Sequence, residues 1–201
     1  MKLFSKILTF LFHPMLMPTL GIFFVLNAGT GLYSLPYEAK QLVYVIVFVS
    51  SCLLPVSLLP LFLQTRLIGS FRMETARERV YPVLSAGLFY LLGYMLLSRL
   101  NISPLIERFV LASVVAVLLA VGVSWFWKIS IHTLAVGGVT GALFGIMFRY
   151  GVDLFPLVSL MLVISGLVAM ARLYLNAHTP AQVYTGYIAG FLIVMSGVFF
   201  V

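Results

Sequence analysis

Negative charge is what this chain has least of. Five Asp and Glu occur in 201 residues, and all charged residues together make up only 8%. A soluble domain carries about 25%, so water is not the principal solvent. Three histidines and five scattered acids form no common metal-ligand spacing, which argues against a metal centre. One cysteine, Cys52, lies inside an apolar run and excludes an intrachain disulfide. No linker, low-complexity stretch or charge block is long enough to separate domains.

What the chain has is apolar surface: 63% hydrophobic residues and a mean hydropathy of +1.17. Runs of about 17–25 apolar residues cross a bilayer as helices. Candidates fall at 7–27, 41–64, 82–98, 108–127, 131–148, 155–175 and 180–201. The expected fold is therefore all-α, a polytopic membrane bundle of six to seven transmembrane helices forming one domain over 1–201. Pro14 and Pro18 interrupt the first run, which reads as a short interfacial helix followed by a half-length span. No small-residue cleavage pattern precedes Asn27, so this segment is read as retained.

The net charge is +7. In a soluble protein that would suggest nucleic acid. Here the basic residues sit at span ends or between Arg66 and Arg79, where they meet anionic headgroups, and the expected partner is the bilayer. Gly137, Gly141 and Gly145, and separately Gly186 and Gly190, recur every fourth position. Small residues at that spacing let helix backbones approach, so the fifth and seventh runs should pack together or on a shared neighbour.

The polar residues follow the spans in a regular way. Arg72 and Arg79 follow the second run, Ser130 and His132 open the fifth, and Arg172 and His178 lie between the sixth and seventh. Two crossings separate each set from the next, so all three share one membrane face. Each set also sits where a helix begins. Thr179, Pro180 and Gln182 read as N-cap, first helical residue and capping-box partner; Ser130 reads as a cap, and Pro82 opens the third run. Helix N-termini present unpaired N–H groups and partial positive charge, and arginine forks pair with phosphate oxygens. The pattern points to a phosphate site at a membrane surface.

The stretch RLYLNAHTPAQVYTGYIAG, residues 172–190, resembles the third signature of the type 2 phosphatidic acid phosphatase superfamily, Ser-Arg-x5-His-x3-Asp, with its following glycine helix. SIHT at 130–133 is similar to the second signature, Pro-Ser-Gly-His, and Arg72-x6-Arg79 to the first, Lys-x6-Arg-Pro, with the proline displaced to Pro82. In order and membrane placement the match extends over 66–190, with a diverged bacterial subfamily as the nearest likeness. The resemblance implies a membrane lipid phosphatase in the cell membrane. His178 would be the nucleophile forming a phosphohistidine, and His132 would protonate the leaving oxygen and then activate water. Arg72, Arg79, Arg172 and Ser130 would hold the phosphoryl oxygens. It implies no metal or other cofactor. The implied substrate is a lipid phosphate or diphosphate: phosphatidate, phosphatidylglycerol phosphate, a polyprenyl diphosphate or a lipid A phosphate.

The chain departs from that pattern at four places. Arg72 replaces Lys and keeps charge, and Ala171 replaces Ser. Ile131 stands where glycine would let a backbone N–H approach phosphate closely. Gln182 replaces the aspartate that orients the nucleophilic histidine, and Glu74 or Glu78 is the nearest carboxylate that could stand in. Gln182 is read as a cap, a histidine-orienting group, or both. Arg66, Arg72, Arg77 and Arg79 also fit an ordinary basic loop, with Glu74 and Glu78 as their partners at helical spacing. Lys128, after Trp125, Phe126 and Trp127, reads as an interfacial snorkelling residue, and His13 before Pro14 as structural. Met15 and Met17 read as packing residues.

Two rival readings stand beside the phosphatase: a diverged member that binds phospholipid headgroups without turnover, and a small transporter. Eight basic residues on the motif face against four opposite follow the positive-inside bias, but removing the three proposed site arginines leaves five against four, so the face is left unassigned. Nothing in the sequence points to an oligomeric state.

Overall fold

Proline placement explains how the first half of the chain folds. The structure, a computed structural model, describes residues 1–70 and 76–200, without the side chains of 76 and 77. Among the described residues every regular element is a helix. These are α1 (Lys2–Leu11), α2 (Met17–Asn27), α3 (Tyr37–Phe48), α4 (Leu54–Gln64), α5 (Ala76–Leu100), α6 (Pro104–Ser124), α7 (Ile131–Tyr150), α8 (Phe155–Tyr174) and α9 (Pro180–Phe199). Pro55 cannot donate to the carbonyl four residues back, and its ring crowds that carbonyl. A π-helical turn, Val49–Leu53, absorbs the mismatch and keeps α3 and α4 one continuous span, Tyr37–Gln64.

Six helices among the described residues are long and apolar enough to cross a membrane. The protein is thus an all-α polytopic bundle, as its composition led us to expect. The first apolar run resolves differently from the other six. It breaks at Pro14 into α1 and α2, with Pro18 in the first turn of α2. α1 turns Ser5 and Leu8 inward, packs on α8 and leaves Phe4, Ile7, Phe10 and Leu11 exposed to the apolar surroundings. α2 is about 16 Å long by its 11 residues, too short to span alone. Ala28 at its end nevertheless belongs to the buried cluster on which Ile102, Val152 and Leu154, in the loops beyond α5 and α7, also pack.

The closest helix pair is α7 with α9. A Cβ at Gly137 or Gly141 would run into the backbone carbonyl of Tyr187 or Phe191, and one at Gly190 into that of Leu134. The two glycine stripes therefore face each other with backbones in contact, as the spacing led us to expect. Thr140 within this core spends its hydroxyl on the Val136 carbonyl and approaches the Ser165 hydroxyl of α8 at 3.4 Å. This satisfies two buried hydroxyls in a layer with no water.

Candidate functional site

The turn from α8 into α9 is specified residue by residue. α8 ends in a Schellman motif: the Asn176 N–H donates to Leu173 at 2.9 Å and the Ala177 N–H to Arg172 at 3.1 Å. Asn176 takes the left-handed conformation the motif requires, φ 49°. One residue after this motif comes His178, and Thr179 then caps α9 in a full capping box with Gln182. Two helix ends, with three residues between the C-cap Leu175 and the N-cap Thr179, thus set Arg172 and His178 at a fixed separation.

His178 is buried, 8% exposed. Its Nδ1 lies 3.1 Å from Gln182 Oε1 and 3.2 Å from the Lys128 carbonyl. Both neighbours only accept, so Nδ1 carries the hydrogen and Nε2 keeps a bare lone pair. The Gln182 amide is itself pinned, because its Oε1 accepts the Thr179 N–H at 3.1 Å. Gln182 thus acts both as cap and as orienting group for His178, the two roles its position allowed. It supplies direction without negative charge. Burial, followed by the charges of Arg172 and Arg79, brings the His178 pKa down to about 4, against a smaller upward pull from its hydrogen bonds to Gln182 and Lys128. The imidazole is neutral throughout the physiological range.

The start of α7 is tied to the start of α9 by a hydrogen bond from the Ser130 N–H to the Gln182 carbonyl, 3.2 Å. His132 follows on the first turn of α7. The Thr9 backbone holds its ring, and Nε2 is buried with no hydrogen-bond partner. Arg172 Nε is likewise buried and unpartnered. A buried polar nitrogen left without a partner costs about 1–3 kcal/mol and more when charged, so both groups mark a place for a polar ligand.

Arg79, His132, Arg172 and His178 line one cavity of about 1010 Å³. Its polar end is cationic, with Arg79, Lys128 and Arg172 in its lining. Below that end the walls are apolar and reach Tyr90 on α5 and Val139 on α7. Those residues lie 11 and 8 positions beyond Arg79 and Ile131, or about 16 and 12 Å along their helices. The cavity therefore descends through about one leaflet. Phe10 of α1 and Val56 and Leu59 of α4 also line it, while α1 packs on α8 and α4 on α5. Between α1 and α4 the described residues show no substantial packing.

Several expectations need correction. Ser130 does not line the cavity: it is fully buried, and its hydroxyl accepts the Thr133 N–H at 3.5 Å as the cap of α7. Glu78 does not stand in for the missing aspartate, because its Oε1 accepts the Gly69 N–H at 3.2 Å and it lies beside Arg79 rather than His178. Arg72 and Glu74 lie outside the described residues. Lys128 lines the cavity and supplies the carbonyl that helps orient His178, a role its snorkelling position did not suggest.

The largest omission was His13. Its ring meets that of His132 edge-on, with centroids 5.4 Å apart, and it lines the same cavity. Ser51, in the π-helical turn, holds this segment by donating its hydroxyl to the Met15 carbonyl at 3.1 Å. Burial and then Arg172 lower the His13 pKa.

No family model, curated protein or solved structure matches the chain. Among the described residues no group of three or more His, Cys, Asp or Glu could hold a metal ion.

Proposed function

We propose that the protein is an integral membrane phosphatase that hydrolyses a lipid phosphate or diphosphate through a phosphohistidine on His178, in the bacterial cell membrane. The observation that carries this reading is one cavity with two kinds of wall. Arg172 and His132 present unpartnered buried nitrogens at its top, and apolar side chains line a leaflet-deep shaft beneath them. An amphiphile with an anionic head and a long hydrocarbon tail satisfies both, and it would enter from the bilayer between α1 and α4, where the described residues show no substantial packing.

The chemistry follows from the two imidazoles. His178 Nε2 attacks phosphorus while Arg172 and Arg79 neutralise charge on the equatorial oxygens. The bond from phosphorus to the lipid oxygen breaks in line with attack, and protonated His132 gives its proton to that oxygen. Water then attacks the phosphohistidine, His132 takes its proton, and inorganic phosphate leaves as the nitrogen–phosphorus bond breaks. Gln182 in place of a carboxylate makes His178 a weaker nucleophile and a better leaving group. The second step gains what the first loses.

That same substitution supports a second reading, a headgroup-binding protein with no turnover. Phosphate release from lipid monophosphates and diphosphates by purified protein in nanodiscs separates the two. Turnover should fall by about 10³-fold or more in His178→Ala, and acid-quenched wild type should carry an acid-labile phosphoryl group. A wild-type protein that binds these lipids and releases no phosphate from any of them would sink the hydrolase.

A further inference from the structure

The apolar part of the cavity has a definite depth, which the reaction above does not use. Small side chains hollow it out: Ala86 on α5, Ala116 on α6, and Ala135 and Gly138 on α7 present a methyl group or less to the space between the helices. The lining residues farthest from the cationic end are Phe109 and Val194. Phe109 lies 15 positions before Ser124 on α6, and Val194 lies 14 after Pro180 on α9. Their α-carbons are thus about 22 and 21 Å from those helix ends, and their side chains close the space beneath Tyr90 and Val139. Among the described residues no lining residue lies beyond them on α6 or α9.

Both closing side chains are backed. The Phe109 ring lies so near α2 that a Cβ at Gly21 would run into its Cζ. Val194 fills the space left by Gly138, where a Cβ would stand 3.1 Å from Val194 Cγ2. Phe109 and Val194 belong to one buried cluster together with Ile22 and Val25 of α2. The shaft therefore ends on packed side chains.

Its two ends are also held at a fixed separation. His178 stands two residues before the first residue of α9, and Val194 is the fifteenth residue of that same helix. One rigid element runs from the nitrogen that meets phosphorus to the floor. A head anchored by Arg172 and His178 fixes the point from which a tail is measured.

A closed end of fixed depth discriminates by length because the tail comes from lipid and not from water. Moving a hydrocarbon chain from the bilayer into a dry shaft removes no apolar surface from water, so longer tails gain no transfer free energy. What varies with length is fit. A chain too short leaves a gap at the floor and forfeits dispersion contacts there. A chain too long must displace packed side chains, which costs more.

We propose that Phe109 and Val194 form the floor of a tail-length gauge, so that the site selects its anionic amphiphile by the length of one hydrocarbon chain. This rests on the phosphatase reading for its reaction and adds a selection that the headgroup chemistry does not supply.

The test measures kcat/KM in nanodiscs for saturated n-alkyl phosphates from decyl to docosyl, each two carbons longer than the last. Wild type should rise gently to one best chain length. At the next member it should fall by about tenfold or more, the cost of overfilling a packed core. Phe109→Leu, which cuts back the floor, should move the best length up. Ala86→Leu, which fills the shaft about 10 Å along α5 from Arg79, should move it down. Elution and Tm show which variants fold, and if Phe109→Leu does not, Ala86→Leu and the wild-type series decide. A profile with no optimum, or an optimum that stays put in every folded variant, overturns the gauge. No phosphate release from any member overturns the phosphatase reading instead. Competition of the same series against radiolabelled hexadecyl phosphate for binding then decides. A cut-off at one length that shifts in Ala86→Leu upholds the gauge, and equal displacement across the series removes it.

Discussion

The two walls of the cavity are built in opposite ways. On one side α7 and α9 touch backbone to backbone along facing glycines, and the α8–α9 turn is a Schellman motif followed at once by a capping box. This wall holds His132, His178 and Gln182. On the other side α1 packs on α8 and α4 on α5, with no substantial packing of α1 on α4 or α5 among the described residues, and this side holds Lys6, His13 and Arg79. In the proposed reaction, the groups that would meet phosphorus with sub-ångström placement sit where the backbones are in contact. Those that would attract an amphiphile sit where the bundle is more open. Positioning tolerates little error, since a misplacement of about 1 Å can cost about 10²-fold in rate, whereas charge attraction falls off gently with distance.

Disturbing the tight wall should therefore cost most. A Cβ at Gly186 would meet the Ser130 carbonyl at 2.6 Å and Thr133 Oγ1 at 2.7 Å, where α7 and α9 begin. Gly186→Ala should separate those helix starts and lower kcat by about 10²-fold, with the folded protein still recovered as a single species in size-exclusion chromatography. An unchanged kcat would show that the seam does not set the distance between the two histidines.

The orienting amide comes next. Gln182→Ala removes the acceptor for His178 Nδ1 and for the Thr179 N–H, and kcat should drop by about 10- to 100-fold. Gln182→Glu, which is isosteric, keeps both acceptors in place and adds charge, which favours the imidazolium. The acid limb of kcat/KM should then move to higher pH, without a large gain in rate. A large gain from near zero would mean that the native site is a binding site.

Protonation gives a smaller signal. Folded His178 titrates near pH 4, below the ordinary histidine value of 6.5, so the unfolded chain binds a proton first as pH falls. Stability is fully present above about 6.5 and is lost between there and about 4. His13 is shifted in the same direction. The Tm in detergent should fall across that window, and His178→Gln should flatten part of the fall.

The smallest effect belongs to a glycine away from both walls. A Cβ at Gly166 of α8 would meet nothing within 4 Å. Gly166→Ala should raise stability by up to about 1 kcal/mol, the difference in helix propensity, and leave phosphate release as it was. A loss comparable to that of Gly186→Ala would mean that glycine acts through flexibility rather than through close approach.

Local and periodic features were legible before any coordinates. The six apolar spans, the glycine seam, the capping box at Thr179 and the gathering of Arg79, His132, Arg172 and His178 on one face all follow from spacing and span parity. Longer-range outcomes were not. His13 sits 119 positions before His132, and the packing of α1 on α8, the bend at Pro14 and the Ser51 bond to Met15 carry it there. Ser130 fits both a cap and a phosphate ligand by sequence, and burial selects the cap. The Gln182 amide takes its orientation from the Thr179 N–H, and its Oε1 and the Lys128 carbonyl then flank one imidazole from two different segments.

Composition and periodicity thus dictated a membrane bundle and the side of it on which chemistry could occur, because transfer from water and helical pitch act on neighbouring residues. Which nitrogen of His178 stays bare, which helices touch backbone to backbone, and which residues line the cavity were settled by folding. Those properties depend on contacts between segments far apart in the chain, and a contact of that kind leaves no mark in the pattern of either segment alone.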